Sequence, residues 1–341
     1  MERRFREGDF IETNQGFIFD VKGVVHPLNR VIAFIRYFPS KTGKRKRGEL
    51  SYEKVYSLSQ RYTWLKENFP EYLVYDSVFD EVLCEVPKSD IKRAYVPVEV
   101  LKRFRKAESL DPLEHAVLEM ACLLKSSAGI SWDAIGASGS IMVGLHTNSS
   151  DIDLIVYGSE NCRKVHSAIE ALFEEPSCPL KPYSLGDLRR LFAFRSKDTF
   201  MSFEDFVKVE SRKVFQGKFM DRDYFIRFVK DWNETGETYG DIRYKNCGYA
   251  KIEATVVDDA GAIFTPCTYK IEDVKVVDRP KIEPIKEIAS LRGRFCEQAR
   301  KGETIVAQGK LEQVTDHRRS DCEHFRLLLG NKPADYMILK H

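Results

Sequence analysis

Between residues 135 and 158 the chain reads IGASGSIMVGLHTNSSDIDLIVYG, and its second half sets two carboxylates, Asp151 and Asp153, in an otherwise apolar strand. Strand periodicity puts both acids on one face while Ile152 and Leu154 point into a core on the other. Two like charges so close repel unless a cation lies between them, and hard divalent cations take oxygen ligands. Whatever the chain folds into must bury one side of this strand and leave the other open to an ion. Eleven residues before Asp151, Gly139-Ser140 follows a short apolar stretch and opens a helix. Glycine permits close backbone approach, and free amides with a serine hydroxyl at a helix start can cradle phosphate. Ser138 either contacts that phosphate or turns the chain. A phosphate site beside an acid pair is the layout for metal-assisted phosphoryl or nucleotidyl transfer.

The elements around this segment predict an α+β chain. Phe17, Phe19 and Val21 alternate with period 2 and VIAFIRYF follows, so an antiparallel sheet is expected near residues 9–37. KTGKRKR (41–47) holds five basic residues and no acid, and reads as an exposed loop able to contact phosphates or simply aid solubility. Ser57 and Gln60 have capping-box spacing ahead of a helix near 58–68. Asp111-Pro112-Leu113-Glu114 is a helix start with cap, proline and acid, followed by Leu113, Val117, Met120, Ala121 and Leu124 at helical spacing. A strand over 151–157 precedes an amphipathic helix through Val165, Ile169 and Leu172. Residues 186–233 read as helical and aromatic-rich, 249–272 as a hairpin turning at 258–261, and 286–341 as several strands of a small barrel or sheet. Three domains are therefore expected: an N-terminal β-rich accessory domain (1–106), a central mixed-sheet catalytic domain (107–280) with a helical insertion (186–233), and a C-terminal β-barrel-like domain (281–341).

Gly139, Ser140, ten further residues and Asp151-Ile152-Asp153-Leu154 resemble the signature of the DNA polymerase beta superfamily of nucleotidyltransferases, most of all the archaeal predicted nucleotidyltransferases. The resemblance covers about 25 residues directly. It implies attack of an acceptor hydroxyl on the α-phosphate of a nucleoside triphosphate such as ATP. Two Mg²⁺ ions, or Mn²⁺, would be bridged by Asp151 and Asp153, and the leaving pyrophosphate would be held by Gly139, Ser140 and a basic group. The family also uses a third carboxylate on a later strand. Glu253 in AKIEATVV is the candidate, sharing a face with Lys251 and Thr255, and Asp258 is the alternative. Glu in place of Asp and a separation of 100 residues from Asp153 both depart from the family pattern.

Residues 212–230 hold six basic side chains against two acids. Lys213 and Arg222, with Arg212 and Lys218, are candidates to neutralise a triphosphate or an RNA backbone, against the plainer reading of a solvated helix face. His146 reads as a surface or cap residue. His317, Cys322 and His324 are too few and too irregularly spaced for a zinc site.

The 54 Lys and Arg against 52 Asp and Glu leave a net charge of +2, which excludes a protein held to nucleic acid by bulk charge. No apolar run has the length of a bilayer span, and MERRFREGDF lacks the apolar stretch of a secretory signal, so a soluble cytoplasmic protein without a membrane partner is expected. The eight scattered cysteines form no CxxC pair and are expected to be reduced. Two functions fit: a nucleotidyltransferase whose acceptor is an RNA end, a protein hydroxyl or a small molecule, or a nucleotide- or RNA-binding protein on the same fold without catalysis.

Overall fold

The computed structural model describes residues 3–55, 58–197, 201–277, 285–319 and 322–340. Ser57, the expected cap of the first helix, lies outside them. In chain order the strands and helices begin with β1 (Phe10–Thr13), β2 (Ile18–Val21), β3 (Arg30–Pro39), β4 (Arg45–Arg47), β5 (Leu50–Lys54), α1 (Leu58–Asn68), β6 (Leu73–Asp76), β7 (Glu81–Pro87) and β8 (Ile91–Tyr95). Then come α2 (Pro97–Phe104), α3 (Pro112–Ala128), β9 (Ile135–Ala137), α4 (Gly139–Met142), β10 (Ile152–Tyr157), α5 (Ser159–Phe173) and β11 (Leu180–Lys181). Next are α6 (Leu185–Arg195), α7 (Phe203–Glu210), β12 (Gln216–Phe219), β13 (Arg222–Val229) and α8 (Trp232–Thr235). The chain ends with β14 (Ile242–Asp258), β15 (Cys267–Val276), β16 (Ile285–Ser290), β17 (Thr304–Asp316), β18 (Cys322–Leu329) and β19 (Tyr336–Leu339).

Two compact units emerge, and they interleave along the chain instead of following three consecutive segments. The first takes residues 1–73, 84–182 and 214–236; the second takes 74–83, 183–213 and 237–341. The expected N-terminal sheet thus shares a unit with the Asp151 strand, and the hairpin from β14 to β15 belongs with the C-terminal strands.

The first unit has two sheets. One runs β4-β5-β3-β2-β1-β8, with β7 also paired to β3. Its core gathers Ile11, Phe19, Val21, Val31, Ala33 and Ile35 under α1, whose Trp64 stacks on Phe38 with ring centroids 4.7 Å apart. The other sheet runs β11-β12-β13-β10-β9, with β13 parallel to β10. α3 packs against α5 and β10, and its start is a full capping box in which Asp111 accepts from the Leu113 and Glu114 amides at 2.8 and 2.9 Å. A capping box of this kind satisfies two amides that would otherwise lack partners.

Two expectations for this unit need correction. KTGKRKR is a loop only over 41–44: Arg45–Arg47 form β4, and Arg47 is bound by Glu12 and by the Tyr52 and Tyr95 hydroxyls at 2.7 and 2.8 Å. The expected helical insertion over 186–233 breaks down after Glu210. Tyr224, Ile226 and Phe228 are buried in strict alternation along β13, so two-residue periodicity wins over the helical spacing that Phe215, Phe219, Phe225 and Phe228 also permit.

In the second unit β14, β15, β16, β18 and β17 pair in that order, and β17 returns to β14, closing a five-stranded barrel; β19 pairs with the start of β17, on the edge that β18 takes further along. Ala250, Ile252, Ala254 and Val256 fill the inside while Lys251, Glu253 and Thr255 face out. The turn after β14 is longer than the sequence implied, since β15 begins only at Cys267. Among the described residues no helix is long and apolar enough to cross a membrane.

Candidate active site

β10 is held on both sides, by β9 through the pairs Leu154 to Ala137 and Ile155 to Gly136, and by β13 through Ile152 to Tyr224 and Asp153 to Phe225. Ile152, Leu154 and Val156 are buried, so the Asp153 carboxylate leaves the opposite face of the sheet, while Asp151, one residue before the strand, is exposed. Gly139 opens α4 with φ of 66°, directly against Asp153. A Cβ on residue 139 would meet the carboxylate Oδ2 and lie 2.7 Å from Cγ, so only glycine fits beside this acid. The structure therefore brings Gly139, Ser140, Asp151 and Asp153 together. Ser140 is buried and its carbonyl accepts from the Leu145 amide. Ser138 has a fastening role: its amide donates to the Asp153 carbonyl at 2.9 Å and its hydroxyl to the Gly8 carbonyl at 3.2 Å.

Residues 145–150, which deliver Asp151, are fixed from three directions. Arg45 of β4 donates to the Leu145 carbonyl at 2.6 Å, Arg222 of β13 donates to the Asn148 carbonyl at 2.7 Å, and His146 Nε2 lies 2.6 Å from Asp111 Oδ2 at the head of α3. Arg222, expected to bind nucleotide, fastens the site loop through a backbone carbonyl, and His146 acquires a definite partner.

Burial, then repulsion from Asp151, pushes the Asp153 carboxyl up to about 7, while Lys54, Arg36 and Arg227 pull it back down. Lys54, on the other side of this balance, is brought down to about 8 by burial and by Arg36. Arg227 is fixed by Glu7 Oε1 at 2.7 Å, and Glu7 also accepts from Lys22 at 3.0 Å. Cations from β3, β5 and β13 therefore act on Asp153, the acid of the pair that is short of solvation. An oxygen-only pair of this kind suits a hard divalent ion, which would relieve both the repulsion and the desolvation. Among the described residues no group of three or more His, Cys, Asp and Glu side chains gathers to hold a metal. Mg²⁺ needs only one or two carboxylates when substrate phosphates and water complete its shell.

The remaining expected site residues lie elsewhere. Lys213 is fully buried in the second unit, its ammonium held by Glu210 at 2.6 Å, Gln298 at 2.9 Å and the Arg294 carbonyl at 2.8 Å, and so is not available to a phosphate. Arg212 is bound by both oxygens of Glu303, and Lys218 by Asp223 at 2.9 Å. Arg212, Lys213, Lys218 and Arg227 are each paired with an acid, and the basic residues are divided between the two units. Glu253 and Asp258 both sit on β14 of the second unit, where Lys340 and Lys275 hold the first and Lys270 the second. The first unit carries another acid, Asp223 of β13. It precedes Tyr224 as Asp151 precedes Ile152, its register partner, and alternation sets it on the same face.

Sequence reasoning missed Arg36, Lys54 and Arg227. The first and last had a readable signal: FIRYF (34–38) and FIRFV (225–229) each place one arginine in an apolar strand, the mirror image of Asp153 in its own.

No family model matches the chain, and no solved structure matches it. It is 34% identical over 336 residues, 96% of each protein, to a protein of Methanocaldococcus jannaschii named "Uncharacterized protein MJ1086".

Proposed function

We propose that this chain, which belongs to the same family as the Methanocaldococcus jannaschii protein, is a divalent-metal-dependent nucleotidyltransferase whose catalytic domain is built on β9, α4, β10 and β13. The observation that carries this reading is the fit of Gly139 against the carboxylate of Asp153, which joins the two halves of the nucleotidyltransferase signature at one point. An acceptor hydroxyl oxygen bonds to the α-phosphorus of a nucleoside triphosphate, the bond to the β-phosphate breaks, and pyrophosphate leaves. Asp151 and Asp153 would hold Mg²⁺ or Mn²⁺, which would supply charge neutralisation to the triphosphate and acidify the attacking hydroxyl. Gly139 lets the backbone approach the phosphates, and Lys54, Arg36 and Arg45 supply fixed positive charge around them. The side chains that fasten residues 145–150 keep Asp151 in place while charge moves. Asp223, which shares a strand register with Asp151 although Lys218 pairs with it at 2.9 Å, is the third carboxylate this reading takes within the first unit.

Support for a nucleic-acid acceptor comes from the second unit. Its closed Greek-key barrel of five strands, with β16 and β18 parallel, is the kind of scaffold that oligonucleotide- and oligosaccharide-binding barrels use. The scattered acid set favours the second reading, a nucleotide- or RNA-binding protein without catalysis. Incubation with Mg²⁺, each α-labelled nucleoside triphosphate and total RNA or cell lysate tests both. Label on an acceptor supports the enzyme. Nucleotide binding with no transfer to any acceptor supports the binding protein.

A further inference from the structure

In the first unit a cleft of about 720 Å³ opens between the β3, β4 and β5 edge and α1, within the size range of small-molecule sites. One part of its wall is aromatic. Phe38 and Trp64 both line it, and their rings are already stacked, with an interplanar angle of 24°. Another part is charged, with Lys44, Arg45 and Lys54 beside the acids Glu53 and Glu67. The cationic part adjoins the acid pair: Arg45 binds the Leu145 carbonyl in the site loop, and the charge on Lys54 interacts with both Asp151 and Asp153. Gln60 and Thr63 on α1 add hydrogen-bonding groups. The cleft thus joins an aromatic patch, polar groups and cations next to the Asp151 and Asp153 pair. That combination matches one molecule with an aromatic base at one end and a polyphosphate at the other.

We propose that this cleft binds the nucleoside of the triphosphate, with the base against Phe38 and Trp64 and the phosphates passing Lys54 and Arg45 toward Asp151 and Asp153. The inference rests on the nucleotidyltransferase reading of that pair and adds where the nucleotide's other end lies. The terminal nucleotide of an RNA acceptor has the same chemistry. Three neighbouring cations suit a triphosphate better than the single phosphodiester that such an end would present.

Calorimetric titration of the full chain with the four α,β-methylene nucleoside triphosphates in Mg²⁺ tests it. Thr63 is exposed on α1, so Thr63→Trp fills the cleft without touching the core. We expect at least a tenfold weaker dissociation constant for the nucleotide that binds the wild type, with the melting temperature unchanged. Lys54→Met should weaken the triphosphate at least tenfold and leave the free nucleoside's affinity within about twofold. Wild-type binding that Thr63→Trp leaves unaltered would overturn the cleft assignment alone. If that variant instead raised only the KM for an RNA acceptor, the cleft would belong to the acceptor end and the proposal would be wrong. No nucleotide binding by the wild type would remove the nucleotidyltransferase reading and this inference with it.

Discussion

Gly139 and Asp153 occupy space that a single methyl group would contest: a Cβ on residue 139 would lie 2.7 Å from the Asp153 Cγ. The glycine also holds φ of 66°, a left-handed conformation that costs an L-residue about 1–2 kcal/mol. Gly129 offers a matched control. It caps α3 with φ of 62°, yet a Cβ there would have nothing within 4 Å. Gly129→Ala should cost about 1 kcal/mol in urea unfolding and leave nucleotide transfer intact. Gly139→Ala should cost more and reduce transfer at least a hundredfold. Equal effects of the two substitutions would show that the contact with Asp153 has no catalytic consequence.

The raised Asp153 carboxyl fixes the sign of a pH effect. Its folded value, about 7, exceeds the ordinary 3.8, so the unfolded chain releases this proton more readily. Stability tied to the protonated form is complete below about pH 4 and is lost as pH rises toward 7. Asp153→Asn mimics the protonated state at every pH. In metal-free buffer its melting temperature should exceed that of the wild type least near pH 4 and most above pH 7, by several degrees. Millimolar Mg²⁺ should raise the wild-type melting temperature and leave that of the variant unchanged. A difference independent of pH would refute the assignment of the charge.

Lys213 should behave as a structural residue. Removing its ammonium takes away one of the cations that hold the buried Glu210, which also pairs with Arg195 at 2.7 Å. Breaking a buried pair from one side typically costs about 3–5 kcal/mol. Lys213→Met should lower stability by that order while the nucleotide dissociation constant of the folded protein stays within twofold. A selective loss of nucleotide affinity at unchanged stability would return Lys213 to the binding site.

Asp223→Asn and Glu253→Gln separate two candidates for the third carboxylate. Each is paired with lysine, Asp223 with Lys218 and Glu253 with Lys340 and Lys275, but Asp223 alone of the two shares a strand register with Asp151. The first change should lower kcat at least a hundredfold with KM for the triphosphate altered less than threefold. The second should leave both within threefold. The reverse outcome would place the third acid on β14.

The acid pair and its glycine were legible in the sequence because the chemistry restricts both residue type and spacing within one short segment. The cap of α3 was legible for the same local reason, since Asp111, Pro112 and Glu114 act within one turn. The cations were harder to find, because Arg36 and Lys54 reach the acids only through tertiary packing of the first sheet. Residues 212–230 misled in two ways. Their aromatic spacing fits a helix as well as a strand, and counting charge along the chain says nothing about partners such as Glu210 or Glu303, which folding supplies. The interleaving of the two units was invisible too, since no composition change marks residues 73, 182 or 213.

The most direct test of the central claim is transfer of label from an α-labelled nucleoside triphosphate to an acceptor, comparing the wild type with Asp151→Ala plus Asp153→Ala. Mg²⁺-dependent labelling is expected from the wild type and at least a thousandfold less from the double variant, with its fold intact by circular dichroism. Labelling that survives the double substitution would contradict the claim.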